Sequence, residues 1–285
     1  MAKCIYCGKS EKLTREHILP SFVYQQHYQI EEQSTVVGWR EKPEKVIPGE
    51  ATIKDVCANC NNVILSEYDA HAKGVLESAN IFQKNFLLNK ATFHYDYTLL
   101  SRWLLKVAYN SSRASGKQIE EFESFKPYIL NKGSENKNFF LACGLLKPVK
   151  LTQDEFIQHG KTFGLNKPGY INPFFTRISW SPTPLDGYIV KQIIIGALVF
   201  HICVFTHQTN RDRKKITKKQ HIDYWKGMTT ISSNKARHTA MQLPLSFIDS
   251  MGPHMLRDNV KPEMDMILKT LEDKGKDKGQ ARLKK

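Results

Sequence analysis

No apolar run in this chain of 285 residues reaches the ~20 residues needed to cross a bilayer as a helix. The longest, "QIIIGALVFHICVF", is broken by His201, so no membrane partner is expected. The opening stretch, "MAKCIYCGKSEK", lacks the apolar core of a secretory signal, which makes a reducing cytoplasm the expected compartment. In that setting the six cysteines are thiols or metal ligands and not disulfides. No internal repeat of roughly 20 to 50 residues and no long low-complexity tract is found, which sets solenoid architectures aside. Acidic residues are also scarce, 28 against 42 Lys and Arg. The resulting net charge of +14 favours a polyanionic partner, nucleic acid first.

What is present suits a packed protein. Hydrophobic residues make up 41% and aromatics 11%, enough for one large domain or two modest ones. Residues 1–75 carry all the paired cysteines and a polar connection, "GWREKPEKVIPGE". Residues 76–130 read as a helical connector: Leu99, Leu100, Trp103, Leu104 and Val107 recur at helical spacing, and Gly116 marks a stop. Arg102, Lys106 and Arg113 fall largely on the remaining face, where a solvated helix surface is the expectation over a DNA-contacting ridge. Residues 131–272 hold the strand-like runs "KNFFLACGLL", "FFTRISW" and "YIVKQIIIGALVFHICVFTH", which predict an α+β domain with an antiparallel sheet. Residues 273–285 form a basic tail.

Cys4-x-x-Cys7 and Cys57-x-x-Cys60 have the spacing of two knuckles, each a turn on which two thiolates converge. Four sulfurs at ~2.3 Å suit a tetrahedral structural zinc. Cys143 and Cys203 sit singly in apolar runs and read as core residues. Near the knuckles, "LTREHILPSF" sets Glu16 directly against His17. In an extended strand such neighbours point to opposite sides.

Taken together, "CIYCG", "LTREHILP", "VCANCNN" and "LSEYD" resemble the HNH endonucleases of the ββα-metal, or His-Me finger, group. The resemblance covers roughly residues 4–70, in the family's order. It implies a β-hairpin followed by a helix, stapled by zinc, with His17 as general base and Glu16 and Asn62 as ligands of a catalytic Mg²⁺ or Mn²⁺. The chemistry needs these types: a base matched to neutral pH for water, and a hard cation on oxygen ligands against the phosphate. The family's middle Asn, which orients the histidine, falls here on Thr52 or Ile53, neither of which is Asn. The expected fold class is therefore α+β: a zinc-stapled ββα-metal module at 1–75, a helical connector at 76–130 and a C-terminal α+β domain.

Other polar residues carry blander readings. Asn61 caps or solvates a helix, Asp69 fixes helix packing, His71 is exposed, and His27 and His94 lack ligand spacing. "NRDRKKITKKQH" holds Arg211, Arg213, Lys214, Lys215, Lys218 and Lys219, read evenly as a solvated loop or as phosphate contacts that position a protein on DNA without reading sequence. The expected function is DNA phosphodiester hydrolysis, in restriction, phage defence or a mobile element. The rival is a non-catalytic zinc-binding module that docks on nucleic acid. A second copy of the chain or a regulatory protein is left open as a partner.

Overall fold

The computed structural model describes residues 2–31, 37–40, 42, 45–133, 138–159, 165–207 and 209–250. The basic tail at 273–285 lies outside them, as does the end of the C-terminal domain from 251.

The chain begins with β1 (Leu13–His17) and α1 (Ser21–Glu31), passes through the hairpin β2 (Val37–Arg40) and β3 (Lys45–Pro48), and returns as β4 (Thr52–Cys57). β4 pairs antiparallel with β1, placing Leu13 opposite Cys57 and His17 opposite Thr52. A π-helical turn, Cys60–Leu65, then runs into α2 (Ser66–Ser78). Next come β5 (Lys90–His94), the long α3 (Tyr97–Ser115), and the short α4 (Ile119–Glu123) and α5 (Lys126–Ile129). The remainder is β6 (Phe139–Lys147), β7 (Val149–Lys150), α6 (Gln153–His159), β8 (Tyr170–Ile171), β9 (Thr176–Ser181), β10 (Tyr188–Ile195), β11 (Leu198–Phe205), α7 (Arg211–Tyr224), β12 (Thr229–Thr230), β13 (Arg237–Ser246) and α8 (Phe247–Ser250).

The fold is α+β, built on a seven-stranded sheet in the order β5-β13-β6-β11-β10-β9, with β12 also on β6. Its pairings are antiparallel except β13 with β6, which is parallel. Two details differ from the sequence reading. β5 belongs to the stretch read as a helical connector, yet it buries Ala91 and Phe93 in alternation and pairs with Arg237–Met241. Its partner lies far along the chain, so no local pattern announces it. Likewise the basic run read as a loop is helix α7, opened by Asn210, whose side chain accepts from the Arg213 amide at 2.9 Å. No helix among the described residues is long and apolar enough to cross a membrane.

Strand alternation gives the sheet two covered faces. Along β11, Leu198, Phe200, Ile202 and Val204 join the main core, where Trp103 of α3 meets Phe200 edge to face at 6.3 Å. His201 and Cys203 point the other way, onto His221 of α7. There a buried chain of hydrogen bonds runs from Gln192 to His201 (3.0 Å), His201 to His221 (3.2 Å) and His221 to Tyr188 (3.1 Å). Burial holds the His221 pKa down at about 4, which keeps the ring neutral inside this network.

α3 is started by Asp96, which accepts from the Leu99 amide at 2.9 Å, and stopped by Gly116 in the left-handed region. Its stripe of Leu100, Trp103, Leu104 and Val107 is buried as expected. The opposite face is not solvated. The N-terminal segment packs over Lys106 and Arg113, and α5 with the residues after it packs over Arg102, so all three lie inside the molecule on specific partners. Arg102 stacks over Tyr128 at 4.9 Å and donates to Asn131 at 2.9 Å. Arg113 pairs with Asp55 and lies over the Tyr109 ring at 5.0 Å. Lys106, with no exposed surface, reaches Glu16 at 2.6 Å and Asp69 at 2.8 Å.

Lys106→Met should leave two carboxylates without their cation inside the protein and lower the unfolding free energy by about 3–5 kcal/mol. Urea denaturation of the purified variant measures this. A loss below 1 kcal/mol would show that Glu16 and Asp69 do not depend on the ammonium.

Candidate metal centre and histidine site

The first knuckle is shaped by backbone hydrogen bonds: the Cys4 amide donates to Lys9 O at 2.9 Å, and Gly8 N to Cys4 O at 2.8 Å. Gly8 takes a φ of 74°, which a side chain would resist, and so lets the turn close behind Cys7. The second knuckle straddles the end of β4 and the π turn, with Cys57 on the strand and Cys60 at the helical start. Pairing of Leu13 with Cys57 and a hydrogen bond from Ile5 N to Asp55 O (3.0 Å) draw the two knuckles together.

The result is that the sulfurs of Cys4, Cys7, Cys57 and Cys60 all lie within 4.8 Å of one another. Cys7 Sγ and Cys57 Sγ are 3.7 Å apart, close to the roughly 3.8 Å that ~2.3 Å bonds to a tetrahedral ion would set. This group could bind a metal ion such as zinc, and it is the only such cluster of His, Cys, Asp or Glu among the described residues. Burial works against the Cys4 thiolate, but backbone amides of Cys57, Cys7 and Tyr6 outweigh it and bring its pKa down to about 7. Cys143 and Cys203 are buried away from the cluster, as read from the sequence.

Glu16 and His17 do diverge across β1. His17 is half-buried and turns its Nε2 onto Glu50 Oε2 at 2.6 Å, while Tyr28 of α1 donates to the other carboxylate oxygen at 2.9 Å. Glu16 goes inward, 4% exposed, onto Lys106 and onto Asn110 Nδ2 at 3.2 Å. Burial raises the Glu16 carboxyl above its usual range, and Lys106 pulls against that shift. Asn62 stands exposed on the turn after Cys60. Lys106 and Asn110 both engage Glu16 Oε1, so a cation at this carboxylate would compete with a buried ammonium, and the catalytic-ion set expected at Glu16 and Asn62 finds no support in this arrangement.

Neighbouring polar residues are structural here. Asn61 Nδ2 ties the π turn to β1 through Thr14 Oγ1 (2.9 Å) and Arg15 O (3.0 Å). Asp69 fixes helix packing through Lys106, as anticipated, and His71 accepts from the Asp96 amide at 3.1 Å. His27 packs against Phe174, and His94 is exposed on β5. Glu50, Tyr28, Lys106 and Asn110 were not singled out as site residues from the sequence. The only local signal for Glu50 is the Pro48-Gly49 turn before it, where Gly49 adopts a φ of 95°.

On α7, Arg211, Arg213, Lys215 and Lys219 are exposed, and Lys214 and Lys218 half-buried. Three of these cations occupy the first turn, where the helix dipole disfavours them. α7 and α3 cover opposite faces of the sheet, and β1 packs against α3, so the sheet and α3 lie between α7 and β1.

No protein-family model, no curated protein and no solved structure matches this chain.

Freshly purified protein should carry about one equivalent of zinc by elemental analysis, and a Cys57→Ala/Cys60→Ala double variant should lose it along with the folded N-terminal segment. Less than half an equivalent in the wild type, or full retention in the variant, would remove the metal centre.

Proposed function

We propose that this protein is an endonuclease of the HNH type that hydrolyses phosphodiester bonds in DNA, with His17 as general base and the four cysteines holding a structural zinc. The observation that supports it is the position of His17: at the end of a strand paired with the strand that carries the third metal-binding cysteine, half-exposed, and hydrogen-bonded to a carboxylate. A net charge of +14 suits a polyanionic substrate.

In this reading a water beside His17 loses a proton to the imidazole. The hydroxide forms a new P–O bond, and the leaving oxygen takes the electron pair of the broken P–O bond and a proton from solvent. Imidazole suits this because its ordinary pKa lies near neutrality. Dependence on Mg²⁺ or Mn²⁺ is carried by the family resemblance, and Glu16 is not assigned to the ion. In this reading α7, on the other side of the sheet from α3, is an accessory polyanion surface apart from His17.

The rival reading, a zinc-binding nucleic-acid module without catalysis, draws on one observation, the engagement of Glu16 with Lys106. Plasmid incubation with Mg²⁺, Mn²⁺ or EDTA separates the two. Wild type should nick or linearise plasmid with a divalent ion and not with EDTA. His17→Ala, folded and zinc-loaded, should cut ~10² to 10⁴-fold more slowly while keeping its DNA affinity. Cutting by His17→Ala within threefold of wild type removes the assignment. DNA binding by the wild type without cleavage under any of the three conditions establishes the rival.

For α7, replacing Arg211, Lys215 and Lys219 by Ala should weaken DNA binding about equally across sequences and lower the salt dependence of binding by roughly 2–3 in log–log slope. Fluorescence anisotropy against ionic strength reads this, and an unchanged slope means that α7 is a solvated helix.

A further inference from the structure

We infer that Glu50 is the positioning residue of His17, taking the place that the middle Asn holds in the family pattern and leaving Glu16 as a structural anchor. The inference rests on the reading of His17 as the base. Thr52 and Ile53, the two positions where that Asn was sought, lie directly opposite His17 and Glu16 in the β1–β4 ladder. Thr52 is exposed, and the ladder occupies it as a strand residue. Glu50 lies two residues earlier, where the chain emerges from the Pro48-Gly49 turn, and reaches across the strand end to the ring.

A surface ion pair of ordinary kind would be weak and loosely held. This one is fixed from several directions. Both oxygens of the Glu50 carboxylate are engaged, one by His17 Nε2 at 2.6 Å and the other by Tyr28 Oη at 2.9 Å. The following residue, Ala51, donates its amide to Tyr24 Oη at 3.2 Å and accepts from Ile18 N at 2.8 Å. On the other side of β1, Asn110 Nδ2 donates to the His17 carbonyl at 3.1 Å, so the backbone carrying the ring is held too. Burial, with the adjoining Glu50 charge, raises the Tyr28 pKa to about 12, which keeps its hydroxyl a donor at neutral pH.

The geometry sets a tautomer. A carboxylate only accepts, so the neutral ring carries its hydrogen on Nε2, and Nδ1 is the basic nitrogen. When Nδ1 takes the proton from water, the carboxylate stands 2.6 Å from the imidazolium that forms. No proton need pass to Glu50, whose part is to orient the ring and stabilise its charge.

The test uses full-length, zinc-loaded protein with Glu50→Gln, Glu50→Asp and Glu50→Ala, read by plasmid cleavage and by ¹⁵N chemical shifts of the His17 ring. Glu50→Gln should lower kcat roughly 10²-fold with KM within threefold, and Glu50→Asp should recover part of the loss, because the carboxylate acts on the ring and not on DNA binding. The wild-type ring should show the Nε2–H tautomer, and Glu50→Ala a mixture of both. A kcat for Glu50→Gln within threefold of wild type, or a ring tautomer unchanged in Glu50→Ala, overturns the inference. If Glu50→Ala loses its fold, Glu50→Gln decides, being nearly isosteric. Wild-type protein that never cuts DNA, with the tautomer still governed by Glu50, overturns the nuclease reading itself and with it any catalytic role for the pair.

Discussion

A fully charged lysine with no exposed surface is tolerable only where the structure supplies anions to it, and Lys106 receives two, from β1 and from α2. Burial alone would drive its ammonium toward the neutral form, but Asp69 and Glu16 outweigh that and raise its pKa. The lysine belongs to a polar stripe on α3. One turn on, Asn110 donates to Glu16 and the His17 carbonyl and accepts from Tyr6 at 2.7 Å; a further turn on, Arg113 pairs with Asp55. The apolar stripe of the same helix faces the sheet. α3 therefore joins two unlike surfaces, the sheet through burial of apolar groups and the cysteine-bearing segment through directional polar contacts to β1, whose pairing with β4 shifts register once, between Thr14 and Arg15.

That register sets what each end of β1 and β4 can do. At the Leu13–Cys57 end the knuckles close, and a metal bound there would staple two short stretches that have little apolar core of their own. At the His17–Thr52 end, four residues away and so about 14 Å along the strand, the imidazole meets Glu50 and Tyr28. The cysteine cluster therefore does not touch His17.

The far side of the sheet follows different rules. Cys203, His201 and His221 form a buried polar contact beneath α7, joined by Gln192 and Tyr188. It anchors a helix whose outward face is strongly cationic. The basic run of α7 and His17 therefore lie on different sides of the sheet.

Much of this was legible from residue types and spacing alone. The paired two-residue gaps between cysteines, the divergence of Glu16 and His17, the α3 stripe, and the β-branched and aromatic runs of β6, β10 and β11 all follow from residue types and spacings that local geometry reads. What the sequence could not carry was which polar groups would be enclosed and by whom. Arg102, Lys106 and Arg113 sit on a helix face that reads as solvated, because helical periodicity reports one apolar stripe and says nothing of a second surface packed through ion pairs. Glu50 reaches His17 across a strand end and through a glycine turn, and β5 pairs with β13, far along the chain. Those contacts are set by tertiary closure: hydrogen bonds and ion pairs act over about 3 Å, and no spacing along the chain encodes which distant atoms will come that near.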